Sequence, residues 1–185
     1  MKFTAAALLT AISIMLAGCV SVTIPQEKPK VSPLSITSSP LHRFSLKDFD
    51  GLMFEPIIPG EADPMFPNRD SVYQNIEFEI AHQLSAKMNI NPEQLPQAPL
   101  IVRYGIASDT TVSDAELVRF FGTTPGLVTK PGQEKLTIAI ALVRPTTGDP
   151  LWKGVAQGTI VPELNSEMRL ARAEAAIARM LSNLQ

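Results

Sequence analysis

The residue in this chain best suited to covalent chemistry is its single cysteine, Cys19, which lies directly behind an apolar segment. A cysteine thiolate is a nucleophile at moderate pH. With one cysteine the chain can form neither an internal disulfide nor a cysteine-based zinc site. The two histidines, His42 and His82, have no cysteine or second histidine at the spacing that metal ligation needs. The sequence therefore predicts no metal or other cofactor, and its chemistry centres on Cys19.

The residues before Cys19 indicate export. Met1-Lys2 is followed by a mostly apolar run, Phe3 to Leu16, and by the small residues Ala17 and Gly18. The run is shorter than the roughly 20 residues of a membrane-spanning helix and fits a secretory signal. Two alternatives remain for this segment: a plain secretory signal with an unrelated cysteine, and a short uncleaved anchor.

Leu16-Ala17-Gly18-Cys19 resembles the lipobox of bacterial lipoproteins. The resemblance implies that the signal is cut before Cys19 and that Cys19 carries covalent acyl chains, palmitate among them, on its sulfur and its new N-terminus. Two or three such chains make a stable membrane anchor. Val20 stands where enterobacterial sorting reads Asp as an inner-membrane signal, so the resemblance implies the periplasmic leaflet of the outer membrane.

Composition limits what the exported chain can do. Without Lys2 it has 15 basic and 18 acidic residues, a formal charge of about −3, which does not suit nucleic-acid binding. We expect three segments: a signal peptide at 1–18, a lipidated Cys19 with a Pro- and Ser-rich tether at 19–40, and one periplasmic domain at 41–185. The tether contains Pro25, Pro29, Pro33 and Pro40, and such a composition is typical of an extended linker.

Hydrophobic periodicity predicts the elements of the domain. Residues 42–58 have strand character, in two short apolar runs with a turn at Asp50-Gly51 between them. Alternation indicates further strands near 100–107, 135–143 and 151–161, and four-residue spacing indicates helices near 71–89 and 165–184. The order β-α-β-β-β-α favours an α+β two-layer sandwich with a mostly antiparallel sheet of about four strands and two helices on one face. We further expect a shallow stripe of the last helix, Met168, Ala171, Ala175 and Ala178, to pack on the nearly bare Gly154–Gly158 stretch of the last strand.

The segment 113–128 is the first candidate interaction surface. Ser113 and Glu116 have the spacing of a capping box, which predicts a short helix ending at Gly122. Leu117, Val118, Phe120 and Phe121 give this long connection more apolar area than a solvated loop needs. The segment either packs over an open edge of the sheet or forms a flap that contacts a partner, lipid or other ligand.

A second candidate is the last helix, where Arg169, Arg172 and Arg179 share one side. They could bind an anionic lipid or sugar, or form an ordinary solvated face whose cations suit the C-terminal half of a helix. Glu61 and Asp63 could bind a cation or serve as an acid/base pair, but a solvated loop fits them better. No nucleophile-elbow, P-loop, dinucleotide or zincin motif is found, so we predict that the chain is not an enzyme.

Residues 45–184 resemble a broad family of bacterial envelope lipoproteins catalogued as a domain of unknown function. The matching pieces are the strands Leu100–Tyr104 and Lys135–Val143, the stretch Leu151-Trp152-Lys153-Gly154, and the closing helix. The resemblance supplies no catalytic residues. It implies a non-enzymatic binding or assembly module with an envelope protein partner. The alternative is a lipid- or glycan-handling carrier or transporter-auxiliary lipoprotein with an apolar groove under 113–128.

Overall fold

A computed structural model describes residues 34–57, 69–91, 93, 95–108, 113–122, 124 and 126–184. In these ranges the chain forms an α+β fold with five strands and three helices. In chain order the elements are β1 (Leu34–Pro40), β2 (Gly51–Pro56), α1 (Arg69–Ser85), β3 (Pro99–Ser108), α2 (Asp114–Phe121), β4 (Lys135–Val143), β5 (Pro150–Thr159) and α3 (Ser166–Leu181).

The five strands form one mixed sheet in the order β1-β5-β4-β3-β2. Its first four strands pair antiparallel, whereas β2 pairs parallel to β3, with α1 as the crossover between them. Parallel neighbours need such a long connection, while β4 and β5 are joined by the short turn 144–149. In that turn the N–H of Arg144 donates to the carbonyl of Asp149 at 2.9 Å.

Helices α1 and α3 cover one face of the sheet, which we call the two-helix face. Strand β4 illustrates the alternation: its large side chains point to this face and its smaller ones to the other. The main core joins both helices to the sheet through fully buried aliphatic side chains. These include Ile76, Ile80, Leu84, Leu100, Ile140, Leu142, Ile177 and Leu181.

Two residues near the helix and strand ends tie the elements together. Lys87, just beyond α1, donates from Nζ to the carbonyl oxygens of Leu181, Ser182 and Leu184 at 2.8, 3.2 and 3.1 Å, so its ammonium caps the C-terminus of α3. Asp50 accepts from the backbone N–H groups of Gln97 and Ala98 at 2.9 and 2.8 Å. These bonds lower the pKa of the Asp50 carboxyl and fix the start of β3 beside β2.

The structure corrects several expectations about the elements. Residues 34–40, which the sequence assigned to the tether, form the edge strand β1. The strand expected near residue 44 is a 3-10 turn, Leu46–Asp48, capped by Ser45, and only β2 follows as a strand. The sheet therefore has five strands instead of about four. A third helix, α2, lies on the opposite face, so the helices are not confined to one face.

The expected contact between α3 and the bare stretch of β5 exists, but the helix makes it with a different side from the predicted Ala stripe. Ala171 and Ala175 are exposed. The helix is turned so that Met180 covers Gly154, where an added Cβ would lie 2.7 Å from both Cγ and Sδ of Met180. The Met180 side chain and the ring of Trp152, not a row of alanines, lie over the bare part of the strand.

Candidate functional site

Helix α2 is short and has defined ends. The Ser113 hydroxyl accepts from the backbone N–H of Glu116 at 3.3 Å, and the Glu116 carboxylate accepts from the N–H of Ser113 at 3.0 Å. The predicted capping box is therefore confirmed. The Ser113 N–H and the Ser113 hydroxyl both donate to the Glu116 carboxylate, and these two bonds lower its pKa. At the other end Gly122 has φ 72°, a left-handed conformation that favours glycine.

The inner side of α2 packs against the sheet. Leu117 and Phe121 are 5% and 4% exposed. They form a second apolar cluster with the smaller side chains that β4 and β5 direct away from the two-helix face: Ala139, Ala141, Val143 and Val155. Because these residues are small, the helix can lie close to the sheet. Two of the four apolar residues predicted as an interaction surface are thus buried in packing.

The outer side of α2 carries the other two predicted apolar residues, Val118 and Phe120. Val118 is 44% and Phe120 52% exposed. Arg119 lies between them in the sequence. Its guanidinium lies over the Phe120 ring, with Cζ 4.8 Å from the ring centroid, which is the geometry of a cation–π contact. We call Val118, Arg119 and Phe120 the α2 surface. It combines an exposed aromatic ring, an aliphatic side chain and a cation on a helix fixed to the sheet.

The chain after α2 is fastened to the same face of the sheet. The N–H of Leu127 donates to Oε1 of Gln157 on β5 at 3.0 Å, and Nε2 of Gln157 donates to the hydroxyl of Thr137 on β4 at 3.3 Å. Gln157 is fully buried. Sequence reasoning missed this tie. The signal available was a single amide side chain in β5, at a position that alternates with the apolar residues facing the main core.

The three arginines of the last helix lie away from α2. Leu117 and Phe121 of α2 and the buried residues of α3 contact opposite faces of the sheet. Arg169 and Arg179 are exposed and Arg172 is half-buried. Arg169 donates to the carbonyl of Pro162 at 3.0 Å, and among the described residues no carboxylate pairs with any of the three. The two predicted surfaces are therefore separate.

The remaining candidates do not converge on a site. Both His42 and His82 are exposed, and His82 Nδ1 lies 3.8 Å from Glu79 on its own helix. Within the described ranges no group of three or more His, Cys, Asp or Glu could hold a metal ion. Leu16, Ala17, Gly18, Cys19, Glu61 and Asp63 lie outside the described residues. In the part of the chain that the structure describes, no helix is long and apolar enough to cross a membrane.

The buried hydroxyl of Tyr104 is a second group that the sequence patterns did not identify. Tyr104 on β3 is 1% exposed and donates from its hydroxyl to Glu77 on α1 at 2.8 Å. Burial and the neighbouring carboxylate raise the pKa of Tyr104 well above its ordinary value. Its ring packs against Phe54 and Tyr73, with ring centroids 5.9 and 5.7 Å away. This group joins α1 to the sheet inside the main core.

Comparison with known proteins gives distant similarity of structure alone. No family model matches the chain, and no curated protein matches it. Two solved structures of PelC dodecamers from Paraburkholderia phytofirmans are 11% and 13% identical, with TM-scores of 0.46 and 0.47. They match 81% and 83% of this chain and 95% and 99% of their own. A PDZ domain protein from Parabacteroides distasonis is 12% identical with a TM-score of 0.48, over 80% of this chain and 35% of that one.

Proposed function

We propose that this chain is a lipid-anchored lipoprotein of the bacterial outer membrane whose α+β domain acts as a non-enzymatic binding or assembly module on the periplasmic side. The observation that carries the binding role is the α2 surface. Leu117 and Phe121 hold the helix on the sheet, so Val118 and Phe120 are presented outward by a fixed element.

Rigid presentation matters for recognition. Residues that contribute most to protein interfaces are often aromatic or arginine, and they cost less entropy when they are already ordered. The α2 surface supplies an aromatic ring with an arginine stacked on it. Its helix is capped at the N-terminus by the Ser113–Glu116 capping box and at the C-terminus by Gly122. A protein partner in the envelope is the ligand class that this combination fits.

The spacing between the lipobox and the first strand limits how far an anchored domain could stand from the membrane. Leu34, the first residue of β1, follows Cys19 by 15 positions. That length spans at most about 50 Å when fully extended. Because β1 is part of the sheet, the connection is shorter than the 19–40 tether expected from composition, and a domain lipidated at Cys19 would stay near the leaflet.

The carrier alternative needs an apolar groove beneath α2. Leu117 and Phe121 occupy that position against Ala139 and Ala141. A lipid or glycan could enter only if the helix left the sheet. The packing therefore favours the binding module over the carrier, and we retain the carrier as an outcome of the test.

The test of the anchor is mass spectrometry of the N-terminus of the native protein. We expect an acylated Cys19, and a Cys19→Ala variant that leaves the membrane fraction. A free thiol at position 19 in protein from the wild-type strain would refute the anchor.

The test of the binding role is site-specific photocrosslinking in cells. A photoreactive phenylalanine analogue at position 120 should give a discrete protein adduct. Phe78 on α1 is a matched control because it is 73% exposed and lies on an element of the other face. Equal adducts at 78 and 120, or none at 120, would contradict a partner at the α2 surface. Lipid or glycan adducts at 120 would favour the carrier.

A further inference from the structure

The first residue of β1, where the chain enters the fold, lies at the same end of the sheet as the starts of β4 and α3. Strand register places Leu34 beside Gly158, Gly158 beside Leu136, and Leu136 beside Ser108. The start of β1 therefore lies at the same end as the start of β4 and the ends of β3 and β5. Helix α3 begins there as well, since it follows β5. We call this the tether end.

Exposed apolar side chains lie at the tether end. Leu34 is 45% exposed, and Met168 in the first turn of α3 is 44% exposed. Val128 is 89% exposed and follows Leu127, whose N–H is bound by Gln157 two residues before the end of β5. Three different segments thus each place an apolar side chain in solvent at the end where the chain enters the domain.

The charges of these segments balance. Residues 126–136 and 160–169 contain three cationic and three anionic side chains: Lys130, Lys135, Arg169, Glu134, Glu163 and Glu167. Attraction to an anionic lipid headgroup would need an excess of cations. A contact between this end and a bilayer would therefore depend on apolar burial and change little with salt.

We propose that the tether end rests against the lipid leaflet, with Leu34, Val128 and Met168 entering the interfacial region. This inference depends on the proposed lipid anchor. Cys19 is 15 positions from Leu34, so an anchored chain holds this end next to the bilayer as an intramolecular ligand. Linkage of that kind gives effective concentrations in the mM range, enough for a weak apolar contact to be occupied. The occupant is the bilayer that holds the anchor.

The opposite end of the sheet provides an internal control. It contains the turn 144–149 and the start of β3, and Leu95 just before β3 is 90% exposed. Strand β5 has 10 residues, so the two ends are about 30 Å apart. Leu95 and Val128 are equally exposed aliphatic residues at the far and near ends, and the proposal predicts that only Val128 meets lipid.

The experiment uses the full-length lipoprotein, reconstituted into vesicles of phosphatidylethanolamine and phosphatidylglycerol that contain brominated acyl chains. The chain has one tryptophan, Trp152, which is buried and gives a constant background. A tryptophan is introduced as Val128→Trp, Met168→Trp or Leu95→Trp, and its quenching by the bromine atoms is measured. We expect Val128→Trp and Met168→Trp to be quenched about twofold or more relative to Leu95→Trp, also in 1 M salt.

The outcomes separate the two proposals. Protein that binds the vesicles but shows equal quenching at 95 and 128, or stronger quenching at 95, overturns the membrane contact and leaves the anchor intact. Loss of the difference in 1 M salt overturns an apolar contact. Protein that lacks acyl chains and does not bind the vesicles overturns the anchor, and the membrane contact with it.

Discussion

The contact between Gly154 and Met180 gives the sharpest test of how the last helix lies on the sheet. An added Cβ at Gly154 would lie 2.7 Å from two atoms of Met180 and would collide with the ring of Trp152. Ordinary contacts of this kind begin near 3.4 Å, and Met180 is only 1% exposed, so neither neighbour can move into solvent. Overpacking of this degree costs about 1–3 kcal/mol.

Part of that cost is offset in the unfolded state. Replacing glycine within a strand recovers about 0.5–1 kcal/mol of backbone entropy. Gly154→Ala should therefore lower the free energy of unfolding by about 1–2 kcal/mol, or the melting temperature by about 3–6 °C for a domain of this size. Ala175→Leu, on the exposed side of α3, should change the free energy by less than about 0.5 kcal/mol.

Urea unfolding followed by circular dichroism measures both variants. A double mutant gives a further check, because Met180→Ala removes one of the two colliding side chains and leaves only the Trp152 ring. Gly154→Ala should cost less in that background, with a coupling energy of about 1 kcal/mol. The reasoning would be refuted if Gly154→Ala were neutral while Ala175→Leu destabilised the domain, since that result would mean that α3 presents its alanine side to the strand.

Three further predictions concern other contacts. Phe121→Ala should lower the free energy of unfolding by about 2–4 kcal/mol, and Phe120→Ala should lower it by less than about 1 kcal/mol. Equal losses of stability in urea unfolding would contradict the division of α2 into inner and outer sides. Lys87→Met keeps the aliphatic stem but loses the three carbonyl contacts, so it should cost about 1–3 kcal/mol and speed hydrogen exchange at the end of α3. The raised pKa of Tyr104 means that its contribution to stability is complete below pH 10.0 and falls above it, as the unfolded tyrosine ionises. Tyr104→Phe should lose less stability than the wild type between about pH 9.5 and 11.5, and parallel curves would refute this.

Strong local patterns predicted much of this fold. The four-residue spacing of Ile76, Ile80 and Leu84 and the alternation in β4 each lead to one assignment, and the structure has α1 and β4 there. The box at Ser113 and the glycine at 122 located α2 to the residue. In each case the interactions that decide the element lie within a few residues along the chain, so the sequence contains them.

The errors arise where partners are distant in sequence. Strand β1 contains Ser35, Thr37, Ser38 and Ser39 and ends at Pro40, a composition typical of a linker. It is a strand because it pairs with β5, more than 110 positions away. The rotation of α3 has the same origin. Both sides of that helix hold small or apolar residues, and the shape of Trp152 and Gly154 selects the side with Met180.

The candidate site shows a similar limit. The sequence identified Leu117, Val118, Phe120 and Phe121 as unusually apolar for a connection, but could not divide them between packing and surface. That division depends on the small residues of β4 and β5 that lie under the helix. With the helix placed, positions 117 and 121 face the sheet and positions 118 and 120 face solvent.

The packing of α2 on the sheet explains why two of these four residues, Leu117 and Phe121, are apolar, but not why Val118 and Phe120 are. An eight-residue helix has about two turns and can bury one side, so Leu117 and Phe121 suffice to hold α2 on the sheet. Any polar residue with good helix propensity would serve at position 120, where half of the side chain lies in solvent. A phenylalanine there exposes apolar area that the fold does not need. Exposure alone does not distinguish Phe120 from Phe78, which is 73% exposed, but the stacked Arg119 does, and crosslinking at position 120 tests whether another molecule contacts this pair.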